Sequence, residues 1–413
     1  MGGVVEILPF RRERRTVNAW RDLPPVEVYN SVGGAAFFQR LLAEWEKQGT
    51  RVTLYQATSE SAYRARRAAL GRLALRWRMY PGYAWICWRG ARRGRNLSPV
   101  RVVTTNPFFA PALVARATRG QGATINHLYD LYPEALIQAG KIRPDSWLAR
   151  RCAAVTRFAL RTCAATVFLG DRLRAHAEAA YGPARRAMVI PVGADGLPFQ
   201  GDPPSTLAAG RLPQILYSGQ MGRMHDTDTL AAAWTEAGAN GVTWSFQASG
   251  AGYVRLRKAA GARPDVTWGG ALPEEQWQRA MKQAQVALIT IAPGAERVVM
   301  PSKTYSALVA GQAILAVCRR ASDLADLVHR HDCGWVVEPG DTAGLRQVIG
   351  RIAQNPGELA AKRGKAFAAG HQHYDMGSVA ETWMELFEAL KAPRPALDES
   401  KARSFGAGTG SES

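Results

Sequence analysis

Residues 286–317 read VALITIAPGAERVVMPSKTYSALVAGQAILAV. Val286–Ile291 is a short aliphatic and β-branched run, the mark of a buried strand. Pro301 and Ser302 are helix-start residues and Gly311 is a helix stop, which predicts a helix over 302–310. Ala313–Val317 is a second buried strand. Strand, helix and strand in this order make one parallel βαβ unit, which needs cover on both faces of its sheet. Working outward, the same alternation recurs. Before it come strands at Gln214–Ser218, Thr243–Ala248 and Val266–Gly269, with helices at Asp228–Glu236, Val254–Lys258 and Glu274–Gln283. After it come Leu324–His329 (helix), Gly334–Val337 (strand) and 342–353 (helix). The first half repeats the pattern. Its strands are Val4–Pro9, Arg51–Tyr55, Val100–Thr104, Thr124–Leu128, Ala165–Leu169 and Met188–Pro191. Its helices are 34–48, Pro107–Arg116, Ser146–Cys163 and Asp171–Tyr181. Residues 197–213 are rich in Pro, Gly and Ala and read as a linker. The fold class expected is α/β: two doubly wound, Rossmann-like domains, 1–197 and 198–378, facing a cleft. A helix over 379–391 and a disordered tail over 392–413 complete the chain.

Composition narrows the partners. Of 413 residues, 47% are hydrophobic and 21% charged, which excludes a disordered chain. Lys and Arg number 53 against 34 acids, a net +19. Residues 1–200 hold 31 basic and 13 acidic residues, and residues 201–413 hold 22 and 21. The surplus therefore belongs to the first domain and calls for an anionic partner there. The five cysteines, Cys87, Cys152, Cys163, Cys318 and Cys333, form no C-x-x-C pair. That argues against a disulfide framework or zinc ribbon and fits a reducing compartment. The apolar run Val4–Phe10 precedes Arg11, Arg12, Arg14 and Arg15, the reverse of a signal peptide. No stretch is long and apolar enough to predict a spanning helix.

Ligands of parallel sheets bind in the loops after strands. Lys303 stands where the 302–310 helix opens, with Pro301, Ser302 and Ser306 beside it, so an anion site and a plain capped helix are both consistent with the spacing. Tyr217-Ser218-Gly219-Gln220-Met221-Gly222-Arg223-Met224-His225 follows the first strand of domain two and precedes a helix. Gly219 and Gly222 let backbone amides approach a phosphate and Arg223 pairs with one, although a simple turn has the same glycines. Gly33-Gly34 opens a helix in domain one, and Gly250 ends a strand in domain two. Asp130-Leu131-Tyr132-Pro133-Glu134 lies past a strand end, where its carboxylates are either catalytic or helix-capping. Asp226-Thr227-Asp228 reads as a helix cap rather than a metal motif, and no metal is expected.

Residues 62–95 hold ten Arg and no acid. Arg72, Arg76, Arg78, Arg92 and Arg93 alternate with aromatics including Trp77, Trp85 and Trp88, and Pro81-Gly82 is expected to split the stretch into two pieces. Arg attracts anionic headgroups and Trp sits at the interface, so a membrane surface fits best. Single-stranded nucleic acid and a solvated face are the alternatives. No nucleic-acid partner is expected.

Taken together, these pieces resemble the nucleotide-sugar-dependent glycosyltransferases of family 4, with the GT-B fold, and in particular the branch building bacterial O-antigens, capsules and exopolysaccharides. Gly33-Gly34 is similar to the family's glycine pair near the donor diphosphate, Asp130–Glu134 to its D-L-[WY]-P-E motif, and Ile190–Asp195 to its I-P-N-G-V-D segment. Gly219–Arg223 resembles the phosphate loop, and Pro301-Ser302-Lys303 with Ala310-Gly311 the P-S-K helix. The resemblance implies a retaining transfer from a nucleoside-diphosphate sugar to an undecaprenyl-diphosphate-linked saccharide. It implies no cofactor or metal, and places the enzyme peripherally on the inner face of the cell membrane. Asp130, Arg223 and Lys303 become the catalytic candidates. Gly33, Gly34, Gly219, Gly222, Gly250, Pro301, Ser302 and Ser306 join the last two as donor-binding candidates. The sequence departs from the family's Glu-x₇-Glu: Val298 and Ser306 occupy those positions, with Glu296 two residues out of register, and Tyr129 stands where a His is common. A silent scaffold of the same fold and a sugar-nucleotide epimerase are the rival expectations.

Overall fold

The structure is a computed structural model that describes residues 23–32, 36–59, 62–63, 72–93, 99–118, 120–201, 207, 210–235 and 241–391. The expected strand Val4–Pro9, the Gly33-Gly34 pair and the tail 392–413 lie outside the described residues.

The first domain contains β1 (Val26–Tyr29), α1 (Ala36–Lys47), β2 (Val52–Tyr55), α2 (Arg72–Arg93), β3 (Val100–Thr104), α3 (Ala110–Thr118), β4 (Ala123–His127), α4 (Glu134–Gln138), α5 (Trp147–Thr162), β5 (Ala165–Phe168), α6 (Asp171–Tyr181) and β6 (Ala187–Val189). The second contains β7 (Gln214–Gln220), α7 (Asp228–Thr235), β8 (Thr243–Ser249), α8 (Ala251–Ala260), β9 (Val266–Gly269), α9 (Glu274–Gln283), β10 (Val286–Thr290), α10 (Lys303–Val309), β11 (Ala313–Val317), α11 (Asp323–His331), β12 (Gly334–Val337), α12 (Thr342–Gln354) and α13 (Pro356–Ala369). A π-helical turn at Gly370–Tyr374 leads into α14 (Met376–Lys391).

Each domain has one six-stranded parallel sheet. The orders are β2-β1-β3-β4-β5-β6 and β12-β11-β10-β7-β8-β9. Strands such as β3, β10 and β11 are buried along their whole length, as sheets covered on both faces must be. β1 escapes the sequence pattern because Glu27 interrupts its apolar run. In the fold Glu27 is buried and accepts Arg101 Nε from β3 at 2.9 Å and the Tyr29 hydroxyl at 3.0 Å. The pair hides two charges inside one strand contact.

α2 corrects a second expectation. It runs unbroken through Pro81. Pro81 and Gly82 are exposed, while Leu75, Tyr83, Cys87 and Ala91 are buried at intervals of four or eight residues. Burial of that stripe outweighs the roughly 3 kcal/mol a proline costs inside a helix. α13 and the short α4 are further elements the sequence pattern did not mark.

The chain crosses between domains twice. Ala194 N–H donates to Tyr374 O at 2.9 Å and Gly196 N–H to Asp375 Oδ1 at 2.9 Å, so the outgoing and returning strands are tied together. α14 then packs on the first domain. Val379, Trp383 and Phe387 share one buried cluster with Val26 and Trp45. Another buried cluster runs through both domains, joining Leu173 and Ala177 to Leu324 and Val328.

Candidate active site

The order of the second sheet reverses between β7 and β10. Loops leaving those two strands diverge and open a crevice at the sheet's carboxyl edge. Here the crevice is a cavity of ≈ 490 Å³. Arg40 of α1 and Gly193–Asp195 wall it from the first domain; Ser218–Gln220, His225, Trp277 and Pro301–Lys303 wall it from the second.

Lys303 is the centre of its electrostatics. Its ammonium lies 3.8 Å from the centroid of the Tyr217 ring. Nζ donates to the Tyr217 hydroxyl at 2.5 Å and to Gln220 O at 3.4 Å, and the same hydroxyl donates to Gln220 O at 2.9 Å. No carboxylate neutralises it among the described ion pairs. Burial pushes its pKa down to about 7, because an ammonium without a counter-charge is costly away from water. Gly219, 3.9 Å from Nζ at the point where a Cβ would stand, has φ of 107°, a conformation that favours glycine.

His225 faces the same space. Its Nδ1 is 2.9 Å from Thr290 O. Burial first, and Lys303 second, lower its pKa to about 4, so it is neutral near pH 7. Trp277 Nε1 donates to Ser218 Oγ at 3.1 Å. Arg40 holds Asp195 Oδ2 at 2.8 Å in its own domain and reaches across to Glu274 Oε1 at 3.3 Å in the other. The two lining carboxylates are thus engaged, and among the described residues the cationic group aimed at the cavity without a carboxylate is Lys303. An ammonium so placed can hold an anion.

Of the predicted residues, Gly219, Pro301, Ser302, Lys303 and Ser306 line the cavity. Asp130, Gly222, Arg223 and Gly250 do not. Arg223 is exposed on the loop that follows β7. Asp130 is half-buried on the first domain, where its N–H donates to Thr105 Oγ1 at 3.2 Å. Gly250 serves packing instead. A Cβ there would come within 2.5 Å of Met221 O, so the glycine lets α8 start beneath the β7 loop. Ser302 does not cap α10 with its side chain; it is exposed at the cavity rim. Asp226 accepts the N–H of Asp228 at 3.0 Å and of Thr229 at 3.2 Å, which makes the D-x-D a cap of α7. Glu296 is buried, accepting Gly294 N–H at 2.6 Å with Arg319 at 3.7 Å. Among the described residues no group of three His, Cys, Asp or Glu is placed to hold a metal. Sequence reasoning missed Arg40, His225 and Trp277. His225 alone carried a signal, its place two residues past Arg223 in a strand-end loop.

Residues 212–355, from just before β7 to just past α12, match the family described as Glycosyl transferases group 1. A probable glycosyltransferase of Pseudomonas aeruginosa, WbjE, is 23% identical over 286 residues, covering 66% of this chain and 68% of that protein. Among solved structures, Anabaena HepE in complex with UDP and glucose superposes with a TM-score of 0.63 at 14% identity. The match covers 89% of this chain and 100% of that one. Sucrose-phosphate synthase from Thermosynechococcus elongatus gives 0.65 at 13% identity over 89% and 99%. The shared architecture is the GT-B fold.

Proposed function

We propose that this chain, a glycosyltransferase of the group 1 type, moves a sugar with retention from a nucleoside-diphosphate donor to a lipid-linked saccharide at an anionic membrane surface. The observation that carries the donor half is Lys303, an ammonium held over Tyr217 in the interdomain cavity with no carboxylate beside it. HepE, a protein of the same fold, was solved with UDP and glucose.

In the reaction proposed, the bond from the sugar's anomeric carbon to the donor diphosphate breaks and the acceptor oxygen bonds to that carbon on the same face. The acceptor's proton goes to the departing diphosphate oxygen. The leaving group gains negative charge as the sugar becomes oxocarbenium-like, so preorganised cations and N–H donors supply the acceleration. Lys303 and the hydroxyls of Ser302 and Ser306 meet the diphosphate, and Arg223 swings in from its exposed loop as the domains close. Asp130 orients the acceptor from the opposite domain. The route needs no protein base, in keeping with a cavity whose carboxylates are tied to Arg40. Ser306, at the position where the family's second Glu stands, is too short to span to a ribose as Glu does.

The acceptor half rests on charge. α2 carries no acid, and Trp85, Trp88, Arg92 and Arg93 are exposed on it. Trp85 and Trp88 stack at 5.1 Å, with Arg92 4.5 Å above the Trp88 ring. The side chains of Arg72, Arg76, Trp77 and Arg78 lie outside the described residues. No described helix is long and apolar enough to cross a membrane.

Thermal denaturation of the purified protein against UDP-, GDP-, dTDP- and CMP-sugars tests the donor site, with Lys303→Ala and Arg223→Ala in parallel. A ligand at 100 times its Kd adds about 2.7 kcal/mol to the folded state. A rise in Tm with one nucleotide class, lost in the variants, is the expected result. A folded protein unmoved by every donor would overturn the proposal.

A further inference from the structure

The membrane reading places one helix, α2, on the lipid. α3 packs against α2, and α5 packs against α3, so the three form one layer over a single face of the first sheet. None of the three contains an Asp or Glu. From Ser146 to Gly170 the chain has no acid at all, while Arg150, Arg151, Arg157 and Arg161 lie on the exposed side of α5. The same helix exposes large apolar groups. Trp147 is 66% exposed, Leu148 40% and Phe158 36%. Its opposite side, Ala149, Cys152, Thr156 and Ala159, is buried. The inward side is apolar as in any packed helix, but the outward face mixes Arg with exposed Trp, Leu and Phe, the composition that seats in a headgroup layer.

Position reinforces composition. Thr156, midway along α5, donates to Tyr132 O at 2.7 Å, just past the carboxyl end of β4. The first half of α5 therefore extends beyond the carboxyl edge of the sheet, where Trp147 and Leu148 are exposed. Tyr80 of α2 packs on Phe109, which leads into α3, at the same edge.

We infer that α5 is a second membrane-seating element, and that Trp147, Leu148 and Phe158 with Arg150, Arg151, Arg157 and Arg161 dock on an anionic lipid surface together with Trp85, Trp88, Arg89 and Arg92 of α2. The inference rests on the proposed membrane association and deepens it. A two-helix footprint fixes the tilt of the first domain, which one helix alone leaves free to roll. That tilt holds the cleft mouth against the headgroups, where a lipid-linked acceptor presents its sugar.

The test is sedimentation of the full chain with vesicles of phosphatidylcholine alone and of phosphatidylcholine with phosphatidylglycerol. Three proteins are compared: the natural sequence, an α5 variant (Trp147→Ser, Arg150→Gln, Arg151→Gln) and an α2 variant (Trp85→Ser, Arg89→Gln, Arg92→Gln). All six positions are exposed, and circular dichroism checks folding. If a set does not fold, its Trp→Ser change is omitted and the charge pair alone is compared. Each Arg near an anionic surface is worth about fivefold in partitioning, so two removed lower it about 25-fold. Comparable losses in both variants, seen with the anionic vesicles and absent with the neutral ones, are expected. A loss confined to the α2 variant overturns this inference and leaves the membrane reading standing. Failure of the natural sequence to bind anionic vesicles overturns both. A single-stranded oligonucleotide that displaces the vesicles at equal charge concentration assigns the surface to nucleic acid and overturns both as well.

Discussion

The contact between α6 and α11 yields a prediction with a sign that simple packing does not give. α6 begins with Gly170 as its cap residue, which has no side chain to satisfy the first N–H groups. Asp323, from the other domain, does so instead: it accepts Arg172 N–H at 2.9 Å and Leu173 N–H at 3.1 Å. Arg172 also grips Asp326 through Nε at 2.5 Å and a second nitrogen at 2.9 Å. A Cβ on residue 170 would stand 2.2 Å from Asp323 Cγ. Gly170→Ala must therefore expel the carboxylate, at a cost of about 1–3 kcal/mol for overpacking on top of the lost cap. Asp323→Ala alone loses a helix cap, about 1 kcal/mol. No separate attraction to the helix dipole is added, because burial holds the Asp323 pKa above its ordinary value and opposes it. In the double variant the clash has no partner, so Gly170→Ala should then cost under about 0.5 kcal/mol. Urea denaturation of the four proteins measures the cycle, with a coupling of about 1.5–4 kcal/mol expected from the overpacking and lost-cap costs together. A Gly170→Ala cost that is the same with and without Asp323 would refute the capping of one domain by the other.

Three further outcomes follow from the geometry. A nucleoside diphosphate binding beside Lys303 should raise its pKa from about 7, so affinity measured by calorimetry falls as pH climbs from about 7 to 9, and Lys303→Arg flattens that slope; a profile unchanged by the substitution would separate Lys303 from the ligand. Glu27→Leu strands buried Arg101 and should cost about 3–5 kcal/mol, most of it recovered in Glu27→Leu with Arg101→Met; equal losses in single and double variants would speak against the pair. Trp383→Ala removes a buried ring that meets Trp45 at 5.4 Å and should cost about 3–5 kcal/mol, with early loss of first-domain signals in hydrogen exchange. Loss confined to second-domain peptides would count against that account.

Sheet elements whose apolar run is unbroken, such as Ala313–Val317 and Gly334–Val337, or broken by one charge among several β-branched residues, such as Val100–Thr104, were readable from the sequence, and their observed bounds agree residue for residue. β1 was not, because a charge whose partner lies seventy-four residues away looks, locally, like a surface residue. Pro81 misled for the related reason that the cost of a proline is local while the burial that offsets it comes from another helix. At the site, residues with a chemical signature at strand ends and helix starts drew notice: Lys303, Ser306 and Gly219 do line the cavity. Arg40 gave no such signal. It lies on an ordinary amphipathic helix, and only the meeting of two domains places it between Asp195 and Glu274. Arg223 carried a signal that the observed arrangement does not use.

The return of α14 sets an order of assembly during synthesis. Residues 212–355 form a contiguous unit with its own buried cluster around Phe246 and Leu315, and every strand of that unit leaves the ribosome before α14. The first domain is made earlier but lacks the helix that covers Val26, Trp45 and Val100 until Met376–Lys391 emerges. Domains of nascent chains generally fold from the N-terminus onward. In this chain the earlier-translated of the two domains is the last to close its core, and for that interval it presents an uncovered apolar face on one side of its sheet and a strongly basic layer on the other, a combination suited to capture by a holding chaperone or by the membrane itself.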